Sequence, residues 1–421
     1  MGTSTYESHV LANGLRVLTA SMPQAQSVTC MVMLAAGSRY ETPDTNGIAH
    51  FSEHMFFKGT ERRPSARQIA TEIDAIGGEF NAFTGKEYTA YYVKCAAEHR
   101  DIALDVLADM LRNSRFDADE IDREKGVIVE EMNMYFDTPR DYIGGVYEEL
   151  LYGNQPLGWD IIGRKETVRG ATRDTFTSYL DRWYHPPRMV LGVGGQVGDG
   201  LLERAQELFG DMPQGETGEP EPAAPYKNGR VKVFTKQSDQ AHLILGVPSY
   251  PIEHPDRYAL QVLSTVLGGG MSSRLFTEVR ERRGLAYYVF GLNHSYTDAG
   301  SLYAQAGVDI NRIEEAVTTV LAELRTIAAE PVPADELDKA KNFSKGRFVL
   351  QLENPQGLIL FGLRREVLER RVPNLDEVLE GLTAVTADDV QRVAQDLIAD
   401  EKLRLALIGP FDDAARFENL L

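Results

Sequence analysis

Two stretches of this chain, DADEIDREKGVIVEE (residues 117–131) and PADELDKAKNFSKGRF (residues 333–348), open on the same pattern of Asp-Glu, an aliphatic residue and Asp. They lie about 216 residues apart in a chain of 421. A repeat at that spacing divides the chain into two copies of one plan, and this restricts the fold more than any local propensity does.

The rest of the sequence runs through one order twice. Each half begins with a strand-like segment, LRVLTASM or VKVFTKQ, and an apolar strand, VTCMVMLAAG or AHLILGVPSY. An amphipathic helix, another strand (YTAYYVKCAA or GSLYAQAGV) and a long helix follow. Between the halves, MPQGETGEPEPAAPYKNG (212–229) replaces apolar periodicity with Pro, Gly and Glu, as a linker does. The expectation is an α+β protein of two homologous domains arising from internal duplication, residues 1–211 and 230–421 joined by 212–229. Each would be a mixed or antiparallel β-sheet packed against helices on one face. A mass of 46.9 kDa exceeds what one core usually supports, which agrees with two domains.

The formal charge of −19 argues against nucleic-acid backbones and anionic membranes as partners and favours neutral or basic ligands. No run of 18 apolar residues occurs, and the N-terminus reads as neither a signal peptide nor a presequence, so a cytoplasmic protein without membrane insertion is expected. Cys30 and Cys95 form no CxxC pair and read as buried thiols.

Chemistry concentrates in GIAHFSEHMFFKGT, residues 47–60. The chain has only 8 histidines, yet His50 and His54 stand four residues apart with Glu53 between them. In a helix, residues i and i+4 stack on one face, so both imidazoles would converge on a divalent metal. Glu53, offset by one position, could reach a metal-bound water without being a ligand. Zinc with two imidazoles and a third, anionic ligand keeps one position open for a water acidified to near neutral pH, whose proton Glu53 would take as general base.

The third ligand is expected from IDREKGVIVEEMNMYFDTP (121–139), which offers Glu124, Glu130 and Glu131. Glu124 and Glu131 are two turns apart and share a face with Val127 and Ile128, whereas Glu130 points about 100° away. Carboxylates on a buried face need a cation, so Glu131 is assigned as ligand and Glu124 as its support. In the second half, His50, Glu53 and His54 fall opposite roughly Leu260, Leu263 and Ser264, so that copy keeps the helix and drops the ligands.

HFSEHMFFKGT, with 76 residues between its second histidine, His54, and Glu131 of REKGVIVEEM, resembles the inverted-zincin metallopeptidases. These form the pitrilysin or insulin-degrading enzyme superfamily, M16, and the similarity is greatest to the branch of the mitochondrial processing peptidase β subunit and its two-domain bacterial relatives. The resemblance implies one zinc per chain on His50, His54 and Glu131, with Glu53 as general base and Glu124 as helper. GGEFNAFTGKEYTAYYV (77–93) alternates polar and apolar residues from Glu79 onward and would form an edge strand, and the resemblance implies that Asn81, Ala82 and Phe83 bind substrate backbone there. Phe57 resembles the aromatic lining the pocket after the scissile bond. Asp141 stands at the first of two positions that receive an arginine before the cut, but Gly145 takes the second, so a strict arginine rule is not implied.

In LGGGMSSRLFTEVRERRGLAYYVF (267–290), Arg280 and Tyr287 resemble the pair that reaches the zinc from the second domain to hold a substrate carbonyl and the oxyanion. The ligand-free half would then wall a substrate chamber. Many two-domain relatives pair, so a homodimer or a heterodimer with an inactive paralogue is expected, acting on extended, preferably basic peptides. Two rivals stand beside this zinc endopeptidase. One is a catalytically silent scaffold subunit of such a complex. The other is a carboxypeptidase-type site using His50, Glu53 and a distant histidine such as His185.

Overall fold

A computed structural model describes residues 6–215, 218–224 and 229–421. Of the expected linker, residues 216, 217 and 225–228 lie outside the described residues. The chain forms two compact units. The first comprises Met1–Asn133, Asp160–Glu221 and Val349–Leu375, and the second comprises Met134–Trp159, Pro222–Phe348 and Asp376–Leu421.

The first unit holds strands β1 (Tyr6–Val10), β2 (Arg16–Ser21), β3 (Ser27–Leu34), β4 (Glu79–Thr84), β5 (Thr89–Ala96) and β6 (Met189–Gly195), in the order β1-β2-β6-β3-β5-β4. The second holds β7 (Val231–Thr235), β8 (Ala241–Pro248), β9 (Ala286–Ser295), β10 (Gly300–Val308) and β11 (Arg404–Gly409), in the order β7-β11-β8-β10-β9. With β1 set aside, both sheets run first, last, second, fourth, third. In both, the first and last strands are the parallel pair, β2 with β6 and β7 with β11. The shared order and the single parallel pairing are what a duplicated α+β plan requires.

Helices α1 (Ile48–Met55), α2 (Ala66–Ala75), α3 (Arg100–Asn113) and α4 (Ala118–Asp137) belong to the first unit for all or most of their length. Alternation along β3 sends Cys30 toward α3, whose Arg100 and Asp101 act on its thiol electrostatically. Met31 and Met33 face the other way. That second face is covered by the Pro355–Leu368 helix, whose Leu358, Ile359, Leu363 and Val367 pack against Leu18, Met31, Met33 and Val190. The reverse occurs in the second unit, where Ile143, Val146 and Tyr147 of α5 (Pro139–Tyr152) pack against Ile244, Ala406 and Ile408.

The compact units therefore depart from a simple cut at 212–229, since each half of the sequence contributes one helix to the other half's sheet. The reason lies in the sheets, which are apolar on both faces and need a helix on each. Gly192 and Gly194 on β6 make the close approach possible. A Cβ at Gly192 would stand 2.6 Å from Leu363 Cδ1, and one at Gly194 would stand 2.6 Å from the Pro355 carbonyl oxygen. Arg16 and Glu366, both buried, close the contact with an ion pair of 2.7 Å.

Leu260, Leu263 and Ser264 lie in the Arg257–Gly268 helix and are buried. Both cysteines are free and buried, and burial pushes both thiols up, Cys95 to about 11. Among the described residues, no helix is long and apolar enough to cross a membrane.

Candidate metal centre

The helix that carries HxxEH begins at Gly47, whose φ of 97° no ordinary side chain adopts easily and whose added Cβ would lie 2.8 Å from the Ile162 carbonyl oxygen. A glycine offers no capping side chain, and Glu41 supplies the cap from outside the helix. Its Oε1 accepts from the Ala49 amide at 2.8 Å, and its Oε2 accepts from the Gly47 amide at 2.8 Å and from Asn46 Nδ2 at 3.0 Å. Burial pushes the Glu41 carboxyl up to about 8, against the pull of those three donors. Ile48, Ala49, Phe51, Ser52 and Met55 are buried, which leaves His50, Glu53 and His54 together on the remaining stripe.

Helix α4 brings the carboxylates. Ile121, Glu124, Ile128 and Met132 form its buried face, Glu131 lies at the rim of that face and Glu130 is exposed. Val127, expected on the same face, instead is about half exposed, because it lies at the margin of the stripe. Among the described residues, His50, His54 and Glu131 are the one group of histidine, cysteine or acidic side chains able to hold a metal, with donor atoms within 4.8 Å of one another. His50 Nε2 is 3.6 Å from Glu131 Oε1, and His54 Nε2 is 3.5 Å from Glu131 Oε2.

Those separations exceed a hydrogen bond. They agree with the edge of roughly 3.4 Å for a tetrahedron with metal–ligand distances of about 2.1 Å. Two neutral imidazoles and one carboxylate are also the donor set that zinc takes with a position left open. Burial, aided by His54, lowers the His50 pKa to about 3, so its ring is neutral, as a ligand must be. Glu124 Oε1 lies 2.8 Å from His54 Nδ1. An ionised carboxylate only accepts, so Nδ1 carries the hydrogen and Nε2 presents its lone pair toward Glu131. Lys58 Nζ, 2.5 Å from Glu124 Oε2, balances the charge. Burial alone would raise the Glu124 pKa, but hydrogen bonds from His54 and Lys58 outweigh it and the net direction is down.

Glu53 stands beside this group, near enough to Glu131 and His54 for both to act on its charge. Its pKa is raised, mainly by burial, and its Oε2 accepts from Thr84 Oγ1 at 2.5 Å. Thr84 ends β4, the outermost strand of its sheet, so Asn81, Ala82 and Phe83 do lie on an open edge. Phe57 is half-buried, its ring 5.5 Å from that of Phe80 and 6.4 Å from that of Tyr91.

The structure thus brings together His50, Glu53, His54, Glu124 and Glu131. Arg280, Tyr287 and Asp141 belong to the second unit. There Arg280 lies in a π-helical turn, Phe276–Arg282, with its guanidinium 4.8 Å from the Phe276 ring centre and 5.8 Å from that of Tyr287, itself 74% exposed. Asp141 is exposed in the first turn of α5 and acts electrostatically on His242 and Tyr288. His185 is buried with Nε2 3.2 Å from the Arg182 carbonyl oxygen and has no place in the metal-binding group.

Sequence reasoning missed Glu41, Lys58 and Thr84. Lys58 and Thr84 lie inside motifs already singled out, whereas Glu41 caps from six residues before the helix N-cap and leaves no short-range pattern.

The family model described as Insulinase (Peptidase family M16) matches residues 16–165, and the one described as Peptidase M16 inactive domain matches residues 170–343. A Bacillus subtilis protein named uncharacterized zinc protease YmxG is 40% identical over 400 residues, covering 94% of this chain and 97% of that protein. An uncharacterized zinc protease of Rickettsia felis is 37% identical over 405 residues, covering 96% and 97%. A protease from Helicobacter pylori has a similar structure, with a TM-score of 0.90 at 24% identity over 97% of this chain and 100% of that one. The peptidase M16 inactive domain from Pseudomonas fluorescens gives 0.89 at 19% identity over 97% and 99%. At such identities the two structures speak for the fold.

Proposed function

This chain belongs to peptidase family M16, and from that premise we propose that it is a zinc-dependent endopeptidase cleaving extended or unfolded peptides, as processing peptidases do. One observation carries the reading: His50, His54 and Glu131 converge within 4.8 Å beside the carboxyl of Glu53, in a unit whose β4 edge is open.

His50, His54 and Glu131 would hold one zinc per chain, which would supply Lewis-acid chemistry to the scissile carbonyl and to the attacking water. The chain's own residues do the rest. Glu53 removes the proton from the attacking water and returns it to the departing amine nitrogen. Its pKa, raised mainly by burial, makes it the stronger base for taking that proton. Glu124 keeps the His54 hydrogen on Nδ1.

The main chain of Asn81–Phe83 offers hydrogen-bonding groups along the edge of β4, so an extended peptide adds as a further strand and is read by its backbone. Phe57, against Phe80, is a wall for an apolar side chain. The charge of −19 favours basic peptides, with Asp141 as one acidic contact and Arg280 and Tyr287 as further substrate contacts in this reading.

The test is cleavage of a peptide library by wild type and Glu53→Gln, each with and without a chelator. Internal cleavage by wild type alone, abolished by chelator, is the expected outcome. Zinc binding without any cleavage would favour the scaffold reading, and activity indifferent to both treatments would refute the mechanism.

A further inference from the structure

We propose that Thr84 is a positioning residue for Glu53, and that it ties the orientation of the base to the strand on which substrate lies. The inference rests on the peptidase reading above.

Strand β4 runs to Thr84, which pairs with Thr89 of β5, and the Gly85 amide closes the hairpin on the Tyr88 carbonyl oxygen at 2.8 Å. Alternation decides which way its side chains point. Phe83 packs with the cluster beneath the Pro355–Leu368 helix, while Phe80 meets Phe57 at the end of α1. Phe80, Ala82 and Thr84 therefore share the face toward α1. Thr84 is β-branched, so its Oγ1 is restricted in direction once the register is set. That hydroxyl donates to Glu53 Oε2 at 2.5 Å, the one hydrogen bond of the Glu53 carboxyl among the described residues.

A carboxylate with both oxygens free rotates about its last torsion, which is broad. Holding Oε2 fixes that torsion and leaves Oε1 as the oxygen that exchanges a proton with water and amine. Helix α1 carries the base, and β4 carries both the backbone groups that the peptide would pair with and, one to three residues on, the hydroxyl that orients that base. A misplacement of about 1 Å in such a group costs roughly a hundredfold in rate.

The experiment compares wild type, Thr84→Val, which keeps the shape and removes the donor, and Thr84→Ser, which keeps the donor. Thermal unfolding and zinc content per chain are measured alongside kcat and KM, with Thr84→Ala as the second donor-free variant should the valine fail to fold. The expected result is a kcat lowered roughly ten- to hundredfold in the donor-free variant, KM within about twofold, unchanged zinc content, and a serine variant within about threefold of wild type. Unchanged kcat in the donor-free variant, a loss carried by KM, or a serine variant as slow as the valine one overturns the proposal.

Absence of chelator-sensitive cleavage in the wild type defeats the peptidase reading instead. Crystal structures of the metal-free proteins then decide the present one. A Glu53 carboxylate held in one orientation in wild type and Thr84→Ser but rotated or split in Thr84→Val supports it, and an identical carboxylate in all three overturns it.

Discussion

Glu41 makes stability depend on pH with a sign that most carboxylates do not have. Burial holds its pKa at about 8 in the folded chain, against 4.5 for an unperturbed glutamate. Between those values the folded protein keeps a proton that the unfolded chain has released. Stability is therefore fully present below pH 4.5 and falls by about 1.4 kcal/mol per pH unit as pH rises toward 8, about 4–5 kcal/mol in total. Replacing Glu41 with Gln removes this dependence. The same change turns an NH2 toward donors that had faced an oxygen, at a cost of about 1–3 kcal/mol. Glu41→Gln should thus be less stable than wild type at pH 5 and equal or superior at pH 8.5. The assay is urea unfolding followed by Trp183, which is buried in the same unit, in a Trp159→Phe background that silences the other tryptophan of the chain. A penalty of the same size at both pH values would refute the reasoning.

Glu124→Gln takes the anionic acceptor from His54 and the partner from Lys58, so zinc affinity measured by competition with a chromophoric chelator should fall about 10–100-fold; unchanged affinity would remove Glu124 from the site. Gly194→Ala places a methyl 2.6 Å from the Pro355 carbonyl oxygen and should cost about 1–3 kcal/mol, read as a lower midpoint of thermal unfolding. Gly126→Ala, within α4 and with nothing inside 4 Å of the new methyl, should raise that midpoint by the equivalent of about 0.5–1 kcal/mol; a fall would mean that α4 needs the glycine.

The parts of the site that obey a local period were legible in the sequence. Four-residue spacing placed His50 and His54 on one stripe, and seven-residue spacing put Glu124 and Glu131 on one face of α4. The edge position of β4 followed from alternation after Glu79. Contacts set by distant segments were not legible. The cap from Glu41, the hydroxyl of Thr84 on Glu53 and the packing of Leu363 over Gly192 all join residues whose spacing has no period. The exchange of helices between the two halves left a trace only in the glycines of β6 and in the apolar character of both sheet faces, which a one-faced sheet would not require.

That exchange has a consequence for how the chain is made. On a ribosome, β6 is complete at Gly195, but the helix that covers its sheet ends at Leu368, about 170 residues later. At roughly 5–20 residues per second, the apolar face carrying Leu18, Met31 and Met33 is left bare for about 10–30 s, and α5 waits for β8 and β11 in the same way. Each nascent half is thus an exposed, adhesive surface until nearly the whole chain has emerged. Dependence on holding chaperones during synthesis is the expected consequence, and a chain truncated near its middle should aggregate rather than give a working half.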